Sequence, residues 1–211
     1  NGLYLLGSPL TQTVTIQNSS FLTNFNVWIG NSATDTNSWS QKRLPTASDR
    51  IMLSGFSSAD LTWSSALTDE VANWTQSVFY SGEVTFGTTY PAYDTAFTNL
   101  HILGNVNILG GAWTHTANGN GVTELRQRLH ATIGGDLDIG PGASISGYEK
   151  GFQSAGPDQG GGNGGGSYGG RGWAAVETYG SILTPELFGS SGGGFKAGGS
   201  IRLLVAGNAN I

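Results

Sequence analysis

The chain has 211 residues, 35 of them Gly and none Cys, with 11% charged residues and a formal net charge of −5. No Cys means no disulfide framework, thiolate metal site or cysteine nucleophile, and mild acidity without Lys/Arg clusters argues against nucleic-acid or anionic-membrane partners. The glycines follow no three-residue period, which excludes collagen, while 37% hydrophobic and 10% aromatic content is too rich for a disordered chain.

Short alternating runs bounded by Gly, Asn, Asp and Ser predict strands and turns throughout. Residues 11–16 (TQTVTI) are the first such run. Its alternating Thr11, Thr13 and Thr15 are too few to define an ice-binding face. Trp28, Trp39, Trp63 and Trp74 then fall among Ser, Thr and Asn. Exposed, such aromatics would stack on sugar rings; buried, they fill the end cap that a repeating β-structure requires, and the cap is the favoured reading. Asn18-Ser19-Ser20 and Asn73-Trp74-Thr75 match the glycosylation sequon, a triplet that also arises by chance. Further strands are expected at Arg50–Leu53 and Glu83–Phe86. Near Pro91–Asp94 the composition changes, dividing the chain into a Trp-rich N-terminal portion, 1–95, and a glycine-rich portion, 96–211.

The second portion carries an internal repeat. Gly104-Asn105-Val106-Asn107-Ile108 recurs as Gly135-Asp136-Leu137-Asp138-Ile139 and as Gly207-Asn208-Ala209-Asn210-Ile211, with a looser copy at Gly82-Glu83-Val84-Thr85-Phe86. Each copy predicts a strand with its apolar pair inward and its Asn/Asp pair on the other face, entered through a glycine turn. The first step, about two dozen residues, suits one coil of a β-solenoid, whose repeats run ~20–45 residues. Longer gaps are then coils with inserted loops, and the largest insertion spans 147–199 and holds 19 of the 35 glycines. Val106, Ile108, Leu137, Ile139 and Ile211 are expected in the stacked core. The one helical candidate is short, Val122–Leu129. The chain begins at Asn1 and stops in a predicted strand at Ile211, as expected of a piece of a longer chain whose open end pairs with more chain or with another subunit.

Residues 135–147 (GDLDIGPGASISG) and the glycine train behind them, with Gly198-Gly199-Ser200-Ile201-Arg202-Leu203 at its end, resemble a recurrent element of glycine-rich secreted or surface bacterial parallel β-helix proteins of the pectin-lyase-like kind. Trp39-Ser40 and Leu44-Pro45-Thr46-Ala47-Ser48-Asp49-Arg50-Ile51 resemble the segment that often precedes such helices. The resemblance implies a right-handed parallel β-helix, a glycine train folded as a compact excursion, and an extracellular or cell-surface location. It transfers no catalytic motif. A structural module of a fibre, sheath, matrix or adhesin is the leading functional expectation, not an enzyme. Its partners would be neighbouring repeats or further copies, with no nucleic acid and no membrane insertion. A carbohydrate-binding or polysaccharide-degrading module and a phage tail adhesin are the alternatives.

Candidate chemistry is sparse. Asp136 and Asp138, at i and i+2, leave one face of a strand and could hold Ca²⁺ or act on a glycosidic bond; stacked on Asn105 with Asn107 and on Asn208 with Asn210, they read instead as a structural polar ladder. No other cofactor is expected. Glu124, Arg126, Arg128, His130 and Lys150 could be assembled into a lyase site, but their spacing does not demand one. His101, His115 and His130 are too dispersed for a zinc motif, although similar offsets suggest that His101 stacks on His130. Tyr168, Trp173, Tyr179 and Phe195 interrupt the glycine train. Pinning the train to the helix is their favoured role, and a sugar platform the alternative.

Overall fold

The structure is a computed structural model, and it describes residues 25–89, 100–118, 126–152, 182–183 and 196–211. The aromatic trio Tyr168, Trp173 and Tyr179, Phe195, the Thr11–Thr15 run, Asn18, Glu124 and most of the 147–199 insertion lie outside these residues.

The protein is all-β, and among the described residues the pairings between strands are all parallel. Twelve strands follow in chain order: β1 Phe25–Trp28, β2 Arg50–Leu53, β3 Leu61–Trp63, β4 Glu70–Val71, β5 Asn73–Gln76, β6 Glu83–Phe86, β7 Leu100–Ile102, β8 Val106–His115, β9 Leu129–Ile133, β10 Leu137–Ile145, β11 Ile201–Val205 and β12 Ala209–Asn210. They form three ladders, each advancing in chain order. One runs β1-β2-β5-β8-β10-β12 and one runs β4-β7-β9-β11. The third, β3-β6, joins the second half of β8, where Val84 lies beside Trp113.

β8 belongs to two ladders because it bends at Gly110-Gly111. Val106 and Ile108 pair with Trp74 and Gln76, whereas Ala112–His115 pair with Glu83–Phe86. Gly111 has φ +70°, and a side chain there would press on the Gly82 carbonyl, so glycine is required at the corner. β10 turns the same corner with a bulge between Ile139 and Gly142.

Period-2 burial sends one face of each strand into a single core that includes Ile51, Leu53, Leu61, Val71, Val84, Leu100, Ile102, Val106, Ile108, Leu129, Ile133 and Leu137. This core crosses the compositional boundary, because β5 and β6 of the Trp-rich portion hydrogen-bond to β8 of the glycine-rich one. The tryptophans line it instead of meeting solvent. Trp28, Trp39, Trp63, Trp74 and Trp113 are all buried, with neighbouring ring centroids 5.0–6.2 Å apart, mostly tilted or edge-to-face. Each indole N–H has an acceptor. Trp28 donates to Ala59 O, Trp39 to Ala33 O and Trp63 to Thr68 O, at 2.8–3.1 Å. Trp74 and Trp113 both donate to Oε1 of buried Gln76, whose Nε2 donates to Gly110 O at 2.9 Å.

The outer edge of β1 is closed. Trp39 bridges Trp28 antiparallel, Ile29 N donates to Ser38 O and Ser40 N to Val27 O, both at 2.9 Å. Val27 N donates to Ser40 Oγ and Gln41 Nε2 to Phe25 O. The loop that follows is organised by Asp49, 1% exposed, which takes two 2.6 Å bonds from Arg43 and one from Thr46 N.

Three expectations change. Gly82–Phe86 is not a copy in register with Gly104–Ile108: β6 pairs with Ala112–His115, and the layer beneath Gly104–Ile108 is Ala72-Asn73-Trp74-Thr75-Gln76. The sequence hides that layer because Trp and Gln stand at its inward positions. Ile211 is 96% exposed, not in the core, because no layer covers it. The helical candidate over 122–129 ends in β-structure, since Gln127 bridges Thr89 and Leu129 opens β9.

Replacing Gln76 by Leu would strand two buried indole N–H groups and should cost ~2–4 kcal/mol. Urea unfolding followed by Trp fluorescence checks this, and an unchanged midpoint would show that the indoles find other partners.

Candidate functional site

The repeat residues build one structure, the line where the chain enters β5, β8, β10 and β12. Val106, Asn107 and Ile108 lie beside Leu137, Asp138 and Ile139, and Leu137 and Asp138 lie beside Ala209 and Asn210. The Asn or Asp preceding each strand turns its side chain along the stack. Asn105 Oδ1 accepts from Asp136 N at 3.0 Å, and Asp136 Oδ1 accepts from Asn208 N at 2.8 Å and Asn208 Nδ2 at 3.4 Å. Asn73, with its amide oriented by the same logic, accepts from Asn105 N at 2.8 Å and donates to Ala72 O at 3.2 Å. The backbone answers in the other direction: Trp74 N donates to Asn105 O, Val106 N to Asp136 O and Leu137 N to Asn208 O, at 2.8–3.1 Å.

This explains the glycine of the repeat. A Cβ on Gly104 would overlap the Asn73 amide, one on Gly135 would overlap Asn105 Oδ1, and one on Gly207 would overlap Asp136 Oδ1. Each Asx side chain occupies the place where the next layer would put a side chain, so the layer above an Asx must carry Gly. The Asn73 sequon is accounted for too: Asn73 belongs to this ladder and Trp74 is buried.

Asp136 is therefore a hydrogen-bond acceptor within the stack. Asp138 lies between Asn107 and Asn210 in the strand register. Among the described residues no group of three or more His, Asp or Glu could hold a metal ion. His101 does not stack on His130. Strand register places His101 between Glu70 and Thr132, and His130 beside Arg202. Similar offsets misled because β9 starts two residues before the position that matches Leu100.

His130 and His115 are both buried, and Arg128 is buried with them. Burial, aided by positive Lys150 nearby and opposed by the bond between Nδ1 and Thr116 O, lowers His115 to about 4. Burial and then the positive charges of Arg128, Arg202 and His115 lower His130 to about 4. Arg126 is exposed and Lys150 half-buried. Lys196 Nζ pairs with Glu149 Oε2 at 3.4 Å.

An open groove of about 510 Å³ lies on the β6–β8–β10 corner, lined by Asp60, Tyr80, Glu83, Val78, Gly82, Gly110, Gly111 and Gly142. Asp60 Oδ1 accepts from Glu83 N at 2.7 Å, and Tyr80 donates to Ala59 O at 3.0 Å. Burial and the Asp60 and Glu83 charges push the Tyr80 hydroxyl pKa up. Val78 and Phe79 are exposed beside it. Sequence reading missed the groove because Asp60 and Glu83 lie on different layers and share no motif. No family model, curated protein or solved structure matches this chain.

Two predictions follow from the ladder and the buried imidazoles. Gly135→Ala should destabilise by ~1–3 kcal/mol through forced displacement of Asn105, and much less in an Asn105→Ala background, because the two sites couple; equal losses in both backgrounds would remove the steric account. The lowered histidines are neutral in the fold, so the unfolded chain binds more protons between about 6.5 and 4. Stability is then full above 6.5 and falls as pH drops toward 4. Asp49 adds a further loss below the usual carboxylate range: burial opposes its ionisation, but the bonds from Arg43, Thr46 N and Asn26 outweigh this and hold its pKa low. Chemical denaturation across pH should show both phases, with His130→Gln flattening the upper one.

Proposed function

We propose that the chain is a structural module of an extracellular fibre, sheath, matrix or surface adhesin, folded as a right-handed parallel β-helix with the 147–199 stretch inserted between its last coils. The observation that carries this reading is the order of the three ladders. A chain that winds the same way turn after turn yields parallel ladders that each advance in chain order around one core, as these do. Right-handed winding follows from the strong preference of parallel crossover connections. Asx bonds and tryptophan packing lock neighbouring layers together, which suits a rigid spacer. Among the described residues no helix is long and apolar enough to cross a membrane.

Immunogold electron microscopy on intact source cells tests the role. Label on extracellular fibres or matrix is expected, and label confined to the cell interior would overturn it.

The corner groove favours a second reading, a polysaccharide-binding surface. Two carboxylates and glycine backbone offer acceptors and close approach to a sugar, and Phe79 supplies apolar surface nearby. Glycan-array binding that falls ~10-fold or more in Asp60→Asn and Glu83→Gln would support it, at the few kcal/mol typical of charged hydrogen bonds; no binding to any glycan would remove it.

A further inference from the structure

Resting on the polysaccharide reading of the corner groove, we infer that its ligand is a cationic glycan, a chain whose sugars carry free amino groups. Asp60 and Glu83 bind the amines, and the exposed Phe79 and Phe56 carry the apolar faces of the sugars.

Gly142 marks the groove as more than a seam between layers. The other glycines along it are needed by the fold. A Cβ on Gly82 would strike Ser58 O, one on Gly110 the carbonyls of Ser77 and Tyr80, and one on Gly111 the Gly82 carbonyl, all at 2.5–2.7 Å. Gly142 is different. Its φ lies outside the left-handed region, it is exposed, and the nearest atom to a Cβ would be Leu109 O at 3.8 Å, an ordinary contact. Neither packing nor backbone conformation requires glycine there, and what the missing side chain keeps clear is the groove.

The layer below brings a second aromatic up to the site. Gly55 lies against Phe79, where a Cβ would sit 2.8 Å from the Phe79 Cβ, so Phe56 and Phe79 rise from neighbouring layers beside Val78. They are 84% and 60% exposed, an apolar patch at the rim of a polar groove.

Charge selects the ligand. Among the described residues the groove lining holds two carboxylates and no Lys or Arg, in a chain of net charge −5. The bond from Glu83 N to Asp60 Oδ1 fixes the two acidic residues on adjacent layers at one end of the groove. A carboxylate only accepts, so it matches a protonated amine and repels a uronate or sulfate. Glu83 also lines a second hollow of about 320 Å³ with Ser146 and the exposed Tyr148, which gives room for further sugars. Charges there are mixed, with Lys196 paired to Glu149 beside Lys150, so selection falls to the Asp60 side.

Calorimetric titration of the whole chain with a β-1,4-linked glucosamine hexamer, and with the same hexamer fully N-acetylated, tests this. The amino hexamer should bind ~10-fold or more tightly than the acetylated one, the scale of one charged hydrogen bond. Asp60→Asn keeps an oxygen for Glu83 N and should erase that difference, leaving the acetylated hexamer unaffected. Phe79→Ala should weaken both. Gly142→Leu should abolish both at an unchanged urea midpoint; if it unfolds the chain, Asp60→Asn decides the location. Equal or tighter binding of the acetylated hexamer, or of oligolysine over the amino hexamer, would overturn the cationic glycan and leave the polysaccharide reading standing. Binding that survives both Asp60→Asn and Gly142→Leu would overturn the groove as its site. Failure of both hexamers overturns the inference, whereas only silence across the whole glycan array removes the reading beneath it.

Discussion

The structure depends on one constraint: parallel strands stacked in register put each side chain directly against the side chain one layer away. Such stacking brings like on like, and a polar group that repeats must bond along the stack or remain unsatisfied. Here the Asn and Asp that enter the strands solve both problems with one contact. The side-chain oxygen of one layer holds the N–H of the next, from Asn73 through Asn105 and Asp136 to Asn208. Because that side chain fills the space over its own layer, the layer above carries Gly. The Gly-Asx pair is a mechanical joint, and neither half functions alone.

The aromatic column is the counterpart inside. Five buried tryptophans bring five N–H donors into an apolar core, where an unmet donor is costly. Three are met by loop carbonyls and two by Gln76, so a glutamine stands at an inward strand position that otherwise takes Ile, Val or Leu. The same layer holds Asn73, and β5 and β6 bond to β8. The Trp-rich and glycine-rich portions thus share one core, and the change of composition marks a change in how the interior is filled. Toward β10 the filling becomes aliphatic, with Ile139, Ile145, Leu203 and Val205 partly buried against the core.

At β1, residues 38–41 turn back antiparallel, bonding its edge and setting Trp39 against Trp28. This is how a β-structure protects an edge from unwanted pairing.

All-β character and the recurring Gly-Asx pentapeptide were readable in the linear sequence, because period-2 alternation and the shared Gly-Asx-apolar-Asx-Ile pattern at 104–108, 135–139 and 207–211 need no knowledge of neighbours. The layer at 72–76 was not, since Trp74 and Gln76 break the pattern while keeping its geometry. The pairing of His101 with Thr132 and the groove between Asp60 and Glu83 were equally hidden, as register and loop length decide which residues meet. What the sequence determined by itself is local: strand periodicity, glycine at the strand entries, enough aromatic and aliphatic residues for a core. Only the tertiary structure decided that those glycines exist to admit the Asx side chain below and that the tryptophans face inward, because each depends on what the adjacent layer places within hydrogen-bonding or van der Waals distance.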